Sequence, residues 1–406
     1  MVFGISLCQA QDIPYTMVRS NPIAVNPAAT GVVPGYRVGV SYRNLWAKLP
    51  RSAFPGNFSR ASIYADGRHS MRKNKNFDWG WGTMIGNQNK GEIFYKDWTF
   101  LASGSLIMDL GGIVKRSEIY EDVSLSVGFS YSYNRLSVDT DALIFSDQLN
   151  PFDQTILPQS AGFQTGFIQP RPYHRIKTGL LLRIPFVCTG CGRYGFISGM
   201  DIGFSAGSLI RSNISLLGQV NITQPLYYAT TLSITRSLNK VIGLRYSGVY
   251  ERARQRDLQQ AQGRFNNVMS SLDILVGSNI WQDDDPEYKM IGYPLAIGLA
   301  FTMPVGNNIV SEDIQGLVDY RSGVSALTVK AEASTLAFSG VGMTGGFAYE
   351  FPLRGVGKEP FIQNTVANYE LYLRFTILNN THIRRSGKRQ SKHCPKVNDV
   401  QNMHNY

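Results

Sequence analysis

Val123-Ser124-Leu125-Ser126-Val127-Gly128-Phe129-Ser130-Tyr131-Ser132-Tyr133-Asn134 alternates large apolar or aromatic side chains with small or polar ones at every step. A period of two belongs to an extended strand and is incompatible with a helix of 3.6 residues per turn. It gives the strand one face suited to hydrocarbon and one suited to a wet or occupied cavity. The pattern returns near the end of the chain, where Tyr369, Leu371, Leu373, Phe375 and Ile377 alternate with Glu370, Tyr372, Arg374 and Thr376. Both charges there fall on the non-lipid face. Tyr36, Val38, Val40 and Tyr42 alternate with Arg37, Gly39, Ser41 and Arg43, and 291–303 and Val341–Phe351 behave likewise.

Weaker runs lie near 56–66, 78–87, 93–108, 173–187, 193–207, 228–237, 240–252, 264–277 and 326–338. Together they predict an all-β fold, a transmembrane antiparallel β-barrel of about fourteen strands. Many runs reach the length that a tilted strand needs to cross a bilayer. A pair of soluble antiparallel sandwiches would also alternate, but with shorter strands.

Composition agrees. Charged residues are 17% of the 406-residue chain and apolar residues 43%, with 40 glycines, 21 tyrosines and 21 phenylalanines, a mixture suited to aromatic-rich β structure. Helical spanning is disfavoured, because Met290–Val305 is too short and contains Pro294 and Pro304. A closed barrel is the other way to satisfy every backbone polar group inside a bilayer. The formal net charge of +11 raises nucleic-acid binding against contact with anionic lipid headgroups. No nucleic-acid partner is expected, since Arg384, Arg385, Lys388, Arg389, Lys392 and Lys396 are concentrated in a tail beyond the last strand. That tail reads as solvated charge or a docking element.

Four domains follow: a signal-peptide remnant at 1–10, an N-terminal extended or plug segment at 11–35, the barrel at 36–378 and a basic tail at 379–406. The apolar run closing on Cys8, Gln9 and Ala10 resembles the end of a secretory signal. Lipidation of Cys8 is disfavoured by bulky Leu7. Pro22, Pro27 and Pro34 prevent the plug segment from being an ordinary helix or an inner strand. A barrel of this size leaves an opening that such a segment can fill. If the first strand runs outward, even-numbered connections should be tight turns, as expected around Cys188–Gly192, Ser237–Asn239 and Ser339–Gly340. Asn87–Gly91 looks too short for a loop and Arg68–Phe77 too long for a turn.

Candidate chemical sites are weak. Cys188 and Cys191 have the spacing of a dithiol or half a zinc site, with only His393 and Cys394 as a further cluster. A turn disulfide or inert thiols are the other readings. Asp283, Asp284, Asp285 and Glu287 suit a solvated acidic turn better than a calcium loop. His69, His174, His382, His393 and His404 fall at strand ends, turns or the tail, away from any strand-wall serine. Neither catalysis nor a cofactor or metal is expected. Arg37, Arg43, Arg245, Lys330, Glu332, Glu350, Glu370 and Arg374 fall on predicted lumen faces. They would solvate the interior or pair across strands, or hold a plug or partner segment.

Ser20-Asn21-Pro22-Ile23-Ala24-Val25-Asn26-Pro27-Ala28-Ala29-Thr30-Gly31, followed by Tyr42-Arg43-Asn44-Leu45-Trp46, resembles the opening of the PorP/SprF family. Phe145-Ser146-Asp147-Gln148 resembles that family's Phe-x-Asp-Gln loop. The motif residues are Asn21, Pro22, Asn26, Pro27, Tyr42, Arg43, Asn44, Trp46, Asp147 and Gln148. The resemblance implies an integral component of the bacterial outer membrane serving type IX secretion, and gliding in some bacteria. Its implied partners are the C-terminal signal domain of a secreted adhesin or other cargo, periplasmic or outer-membrane lipoproteins, other secretion components and the lipid bilayer. A transport channel, either a general porin or a fatty-acid channel, is the alternative, since fatty-acid channels also have fourteen strands and an N-terminal hatch containing Asn-Pro-Ala.

Overall fold

The computed structural model describes residues 17–33, 35–45, 58–71, 77–90, 96–110, 123–137, 172–185, 199–210, 212–213, 223–238, 242–254, 264–282, 289–304, 326–336, 341–352 and 368–378. Fourteen strands form one closed antiparallel ring in which each pairs with its sequence neighbours and β1 pairs with β14. They are β1 (Gly35–Leu45), β2 (Phe58–Ser70), β3 (Phe77–Lys90), β4 (Lys96–Asp109), β5 (Ser124–Ser137), β6 (Pro172–Pro185) and β7 (Gly199–Gly207). The ring continues through β8 (Leu226–Ser237), β9 (Ile242–Arg254), β10 (Arg264–Gln282), β11 (Lys289–Pro304), β12 (Ala326–Leu336), β13 (Val341–Pro352) and β14 (Asn368–Leu378). At the seam Gly35 faces Leu378 and Asn44 faces Tyr369, so closure is made by a full strand's length of pairing.

Side chains obey the alternation. In β1, Tyr36, Val38, Val40 and Tyr42 point outward while Arg37, Ser41 and Arg43 are buried. In β5, Val127, Phe129, Tyr131 and Tyr133 point outward, with Phe129 49% exposed, while Ser126, Ser130, Ser132 and Asn134 are buried. Large apolar side chains stand outward around the ring, among them Ile63, Leu180, Leu272, Ile297 and Leu371. So continuous an apolar exterior is untenable in water and is what a lipid-facing wall requires. The molecule is an integral outer-membrane barrel.

Aromatic and imidazole rings cluster outward at both rims. Where β1 begins, His69 lies 4.9 Å from Trp79 and 6.0 Å from Tyr36. At the opposite rim the Tyr131 hydroxyl is 2.6 Å from His174 Nδ1, and the Tyr42 ring lies 6.0 Å from that of Tyr369, tilted against it. Amphipathic rings at the two headgroup levels are the girdles of such barrels.

Two connections differ from their sequence reading. Arg68, His69 and Ser70 continue β2, pairing with Gly80, Trp79 and Asp78, and Phe77 already begins β3, so the strands take up both ends of Arg68–Phe77, while 72–76 lie outside the described residues. The Arg68 guanidinium bonds the Asp78 carboxylate between these two strands, its Nε at 2.8 Å. β3 likewise runs on to Lys90, through most of the stretch taken for a short loop. The turns expected at Cys188–Gly192 and Ser339–Gly340, together with Asp283–Asp285 and Glu287, lie outside the described residues.

Candidate functional site

The inner surface of the ring holds the segment Met17–Val33, which consists of a 3-10 turn (Val18–Ser20), a short α-helical turn α1 (Pro22–Val25) and a second 3-10 turn (Pro27–Ala29). The doubled Asn-Pro explains this path. Asn21 precedes α1 and its Oδ1 accepts from Ala24 N at 3.3 Å, while Pro22 occupies the first helical position, where no N–H is needed. Asn26 repeats the device, its Oδ1 accepting from Ala28 N at 2.9 Å with Pro27 next. The prolines thus exclude a long helix but start two short turns.

Each asparagine also anchors the segment to the wall through its amide nitrogen. Asn21 Nδ2 donates to Ser62 Oγ at 3.0 Å on β2 and to Met84 Sδ at 3.0 Å on β3. Asn26 Nδ2 donates to the Leu180 carbonyl at 3.0 Å on β6. Both roles need an amide, since aspartate would cap the turn but could not donate. Between the anchors, Ile23 is fully buried against Tyr64, Met84 and Leu101.

Irregular backbone inside a membrane barrel must be satisfied by protein groups. Ser105 Oγ donates to the Thr30 carbonyl at 2.6 Å, Ser126 Oγ to that of Ala28 at 2.7 Å and Ser205 Oγ to that of Val25 at 3.0 Å. Lys177 Nζ donates to the Ala24 carbonyl at 2.6 Å. Missing side chains make room beside these donors. A Cβ at Gly128 would fall on the Pro27–Ala28 peptide, and one at Gly179 on the Asn26 amide. Gly31, with φ +63°, takes the left-handed turn that returns the chain to β1 beside Gly67 and Gly80.

Three charged groupings hold the segment or face it across the lumen. Arg37 reaches Asp66 through Nε at 2.8 Å and Nη2 at 2.6 Å, and its Nη2 also donates to the Ala29 carbonyl at 3.0 Å. Asp66 Oδ2 accepts from Gly31 N at 2.7 Å, so one ion pair holds the segment from both partners. Across the seam, Arg43 contacts Glu350 at 3.0 Å and Glu370 at 4.0 Å, while Glu370 accepts from Met17 N at 3.2 Å and Ser20 Oγ at 2.7 Å. On the far wall, Arg245 pairs with Asp273 at 2.6 Å and Glu332 at 3.1 Å, Lys330 with Asp273 at 2.9 Å, and Arg19 with Glu332 at 3.6 Å.

All eight lumen-face residues named from the sequence, Arg374 included, point inward; Arg37, Arg245, Glu370 and Arg374 are at most 2% exposed. Tyr42 faces outward and its hydroxyl accepts from Asn44 Nδ2 at 3.2 Å, whereas Trp46, Asp147 and Gln148 lie outside the described residues. Sequence reasoning missed Asp66, Asp273 and the serine and glycine seats. Parity within each run places them on the inner face, and that was the available signal. The arrangement can bind and hold a peptide segment. Among the described residues, no group of three or more His, Cys, Asp or Glu is placed to hold a metal.

A family model described as "Type IX secretion system membrane protein PorP/SprF" matches residues 7–375. No curated protein matches the sequence. Among solved structures, the chain is similar to the Pseudomonas putida toluene transporter TodX at 7% identity and TM-score 0.45, over 90% of this chain and 98% of that one. It is similar to a Pseudomonas aeruginosa FadL homologue at 10% identity and TM-score 0.44, over 88% and 94%. It is also similar to BamA from Haemophilus ducreyi lacking POTRA domains 1–3, at 11% identity and TM-score 0.40, over 84% and 70%.

Proposed function

Since the chain belongs to the PorP/SprF family of type IX secretion system membrane proteins, we propose that its barrel binds the C-terminal signal domain of a secreted adhesin or other surface protein and holds it at the cell surface. Its class is that of a non-enzymatic outer-membrane component whose partners are membrane lipid and other parts of the secretion system. In this reading 11–35 is the plug of the barrel 36–378, the tail 379–406 offers basic charge to a partner, and lipoproteins complete the assembly. In gliding bacteria the cargo would be an adhesin used for movement.

The proposal rests on the family match, and the occupied lumen supports it against an open pore. A general pore works by a clear bore, whereas here Met17–Val33 is hydrogen-bonded to strands from β2 to β7 and to β14; a hatch-closed fatty-acid channel would share that occupancy, and against it the family match decides. A barrel filled by its own segment suits a receiving and holding role. Of the charged group near the rim where β1 ends, Glu350 has the most exposed side chain and is the one best placed to meet a partner at that mouth, with Arg43 and Glu370 buried behind it.

Purification of the barrel in mild detergent from cells expressing the native secretion system tests this. A secreted C-terminal domain or another secretion component should accompany it. A barrel that elutes alone, and that gives steady ion conductance when reconstituted, would replace the holding role with transport.

A further inference from the structure

At the rim where β1 ends, the lipid-facing side of three neighbouring strands carries cations. Lys96 and Trp98 on β4 and Tyr133 and Arg135 on β5 stand outward and exposed, and His174 on β6 joins them through its bond to outward Tyr131. Register puts Arg135 at the centre. It lies opposite Trp98 and Pro172, so Lys96 and His174 are its diagonal neighbours on the two flanking strands, about 7–8 Å away and within reach of one shared ligand. The acids of β3 to β6, Asp78, Asp97 and Asp109, stand on the inward parity, where Asp97 accepts from the Tyr173 hydroxyl at 2.6 Å. Among the described residues no carboxylate pairs with Lys96 or Arg135. Deeper along β4 the same face is recessed: Ala102 and Gly104 lie between exposed Phe100 and Leu106, and a Cβ added at Gly104 would meet nothing closer than 3.8 Å. This rim is the outer one, because its connections include 138–171, 208–225, 305–325 and 353–367, whereas the other rim is joined by stretches as short as 238–241 and 337–340.

We propose that Lys96, Arg135 and His174 bind the phosphate of an outer-leaflet lipid headgroup, whose acyl chain passes Phe100 and settles over Ala102 and Gly104. The donors suit a phosphate. Arg135 offers a planar fork, Lys96 a point charge and His174, with Tyr131 donating to Nδ1, an N–H at Nε2. A zwitterionic headgroup would bring its own cation against them, and a free anion would forgo the recess. An aromatic girdle accounts for Trp98 and Tyr133 but calls for no cation between them. The site is independent of cargo binding, because it lies on the outside of the wall and the lumen takes no part in it.

The test is native mass spectrometry of the full chain, released from detergent micelles that carry bisphosphorylated lipid A, fully dephosphorylated lipid A or phosphatidylcholine. Lipid A should bind saturably, and its dephosphorylated form and phosphatidylcholine about tenfold more weakly for want of a charge-assisted bond. Arg135→Gln and Lys96→Gln should each weaken lipid A about tenfold while leaving the dephosphorylated form unchanged. Gly104→Leu, which fills the recess, should weaken both forms. Arg252→Gln is the control, since it removes an outward cation of β9 at the same rim but away from the site, and lipid A should bind it as it binds the wild type. The gel shift between folded and unfolded barrel verifies that each variant is folded. Equal binding of the two forms of lipid A, undiminished binding to the Arg135→Gln, Lys96→Gln double variant, an equal loss in Arg252→Gln, or displacement of lipid A by inorganic phosphate would each overturn the site.

Discussion

Gly128 is the position at which a single added carbon should loosen the lumen segment. It faces inward from β5, which is paired along its length with β4 and β6, so the wall cannot retreat. A Cβ there would fall on the Pro27–Ala28 peptide, and Gly128→Val forces that turn away. Three nearby bonds share the displacement: Ser126 to the Ala28 carbonyl, Asn26 to Leu180 and Ser205 to Val25. At about 1 kcal/mol each, their loss comes to about 3 kcal/mol, or roughly a hundredfold in the docking equilibrium of the segment. Single-channel recording in planar bilayers should register this as conductance bursts that the wild type lacks. Gly104→Ala is the control, because an added Cβ on that outward glycine of β4 meets nothing closer than 3.8 Å. A Gly128→Val barrel as silent and as heat-stable as the wild type would refute the seating of the segment on β5.

Asn26→Asp keeps the turn acceptor but removes the donor to Leu180, so we expect about 2 kcal/mol less resistance to heat, read by the gel shift between folded and unfolded barrel. The loss should shrink in acid, where the introduced carboxyl carries a proton it can donate; a pH-independent loss would argue against that bond. Arg37→Met strands the Asp66 carboxylate and should cost about 3–5 kcal/mol, whereas adding Asp66→Leu should recover much of this. A double variant no better than the single one would count against the pair's coupling. Phe129→Arg on the lipid face should cost about 2–4 kcal/mol in bilayers, and a neutral result would mean that this face of β5 does not meet hydrocarbon.

The strands were legible because lipid imposes one chemistry on every second residue, as Val127, Phe129 and Tyr131 illustrate. Their ends were less so. At Arg68 the chain is still paired, opposite Gly80 and bonded to the Asp78 carboxylate, a fact of register that lies on another strand. The inward charges could be assigned to a face but not to partners. Arg245 meets Asp273 on the adjacent strand but Glu332 two strands further round, and such reach depends on ring curvature that no local window contains. The Asn-Pro pairs signalled an irregular lead-in; which wall atoms receive their amides depends on closure.

The Glu370 carboxylate takes hold of Met17 and Ser20, and it stands on the last strand to leave the ribosome. The start of the lumen segment therefore waits for the strand that closes the ring before its resting place exists. Such a cork is fitted after the cask is hooped, so a barrel stalled in insertion with its first and last staves apart would carry its leading residues loose.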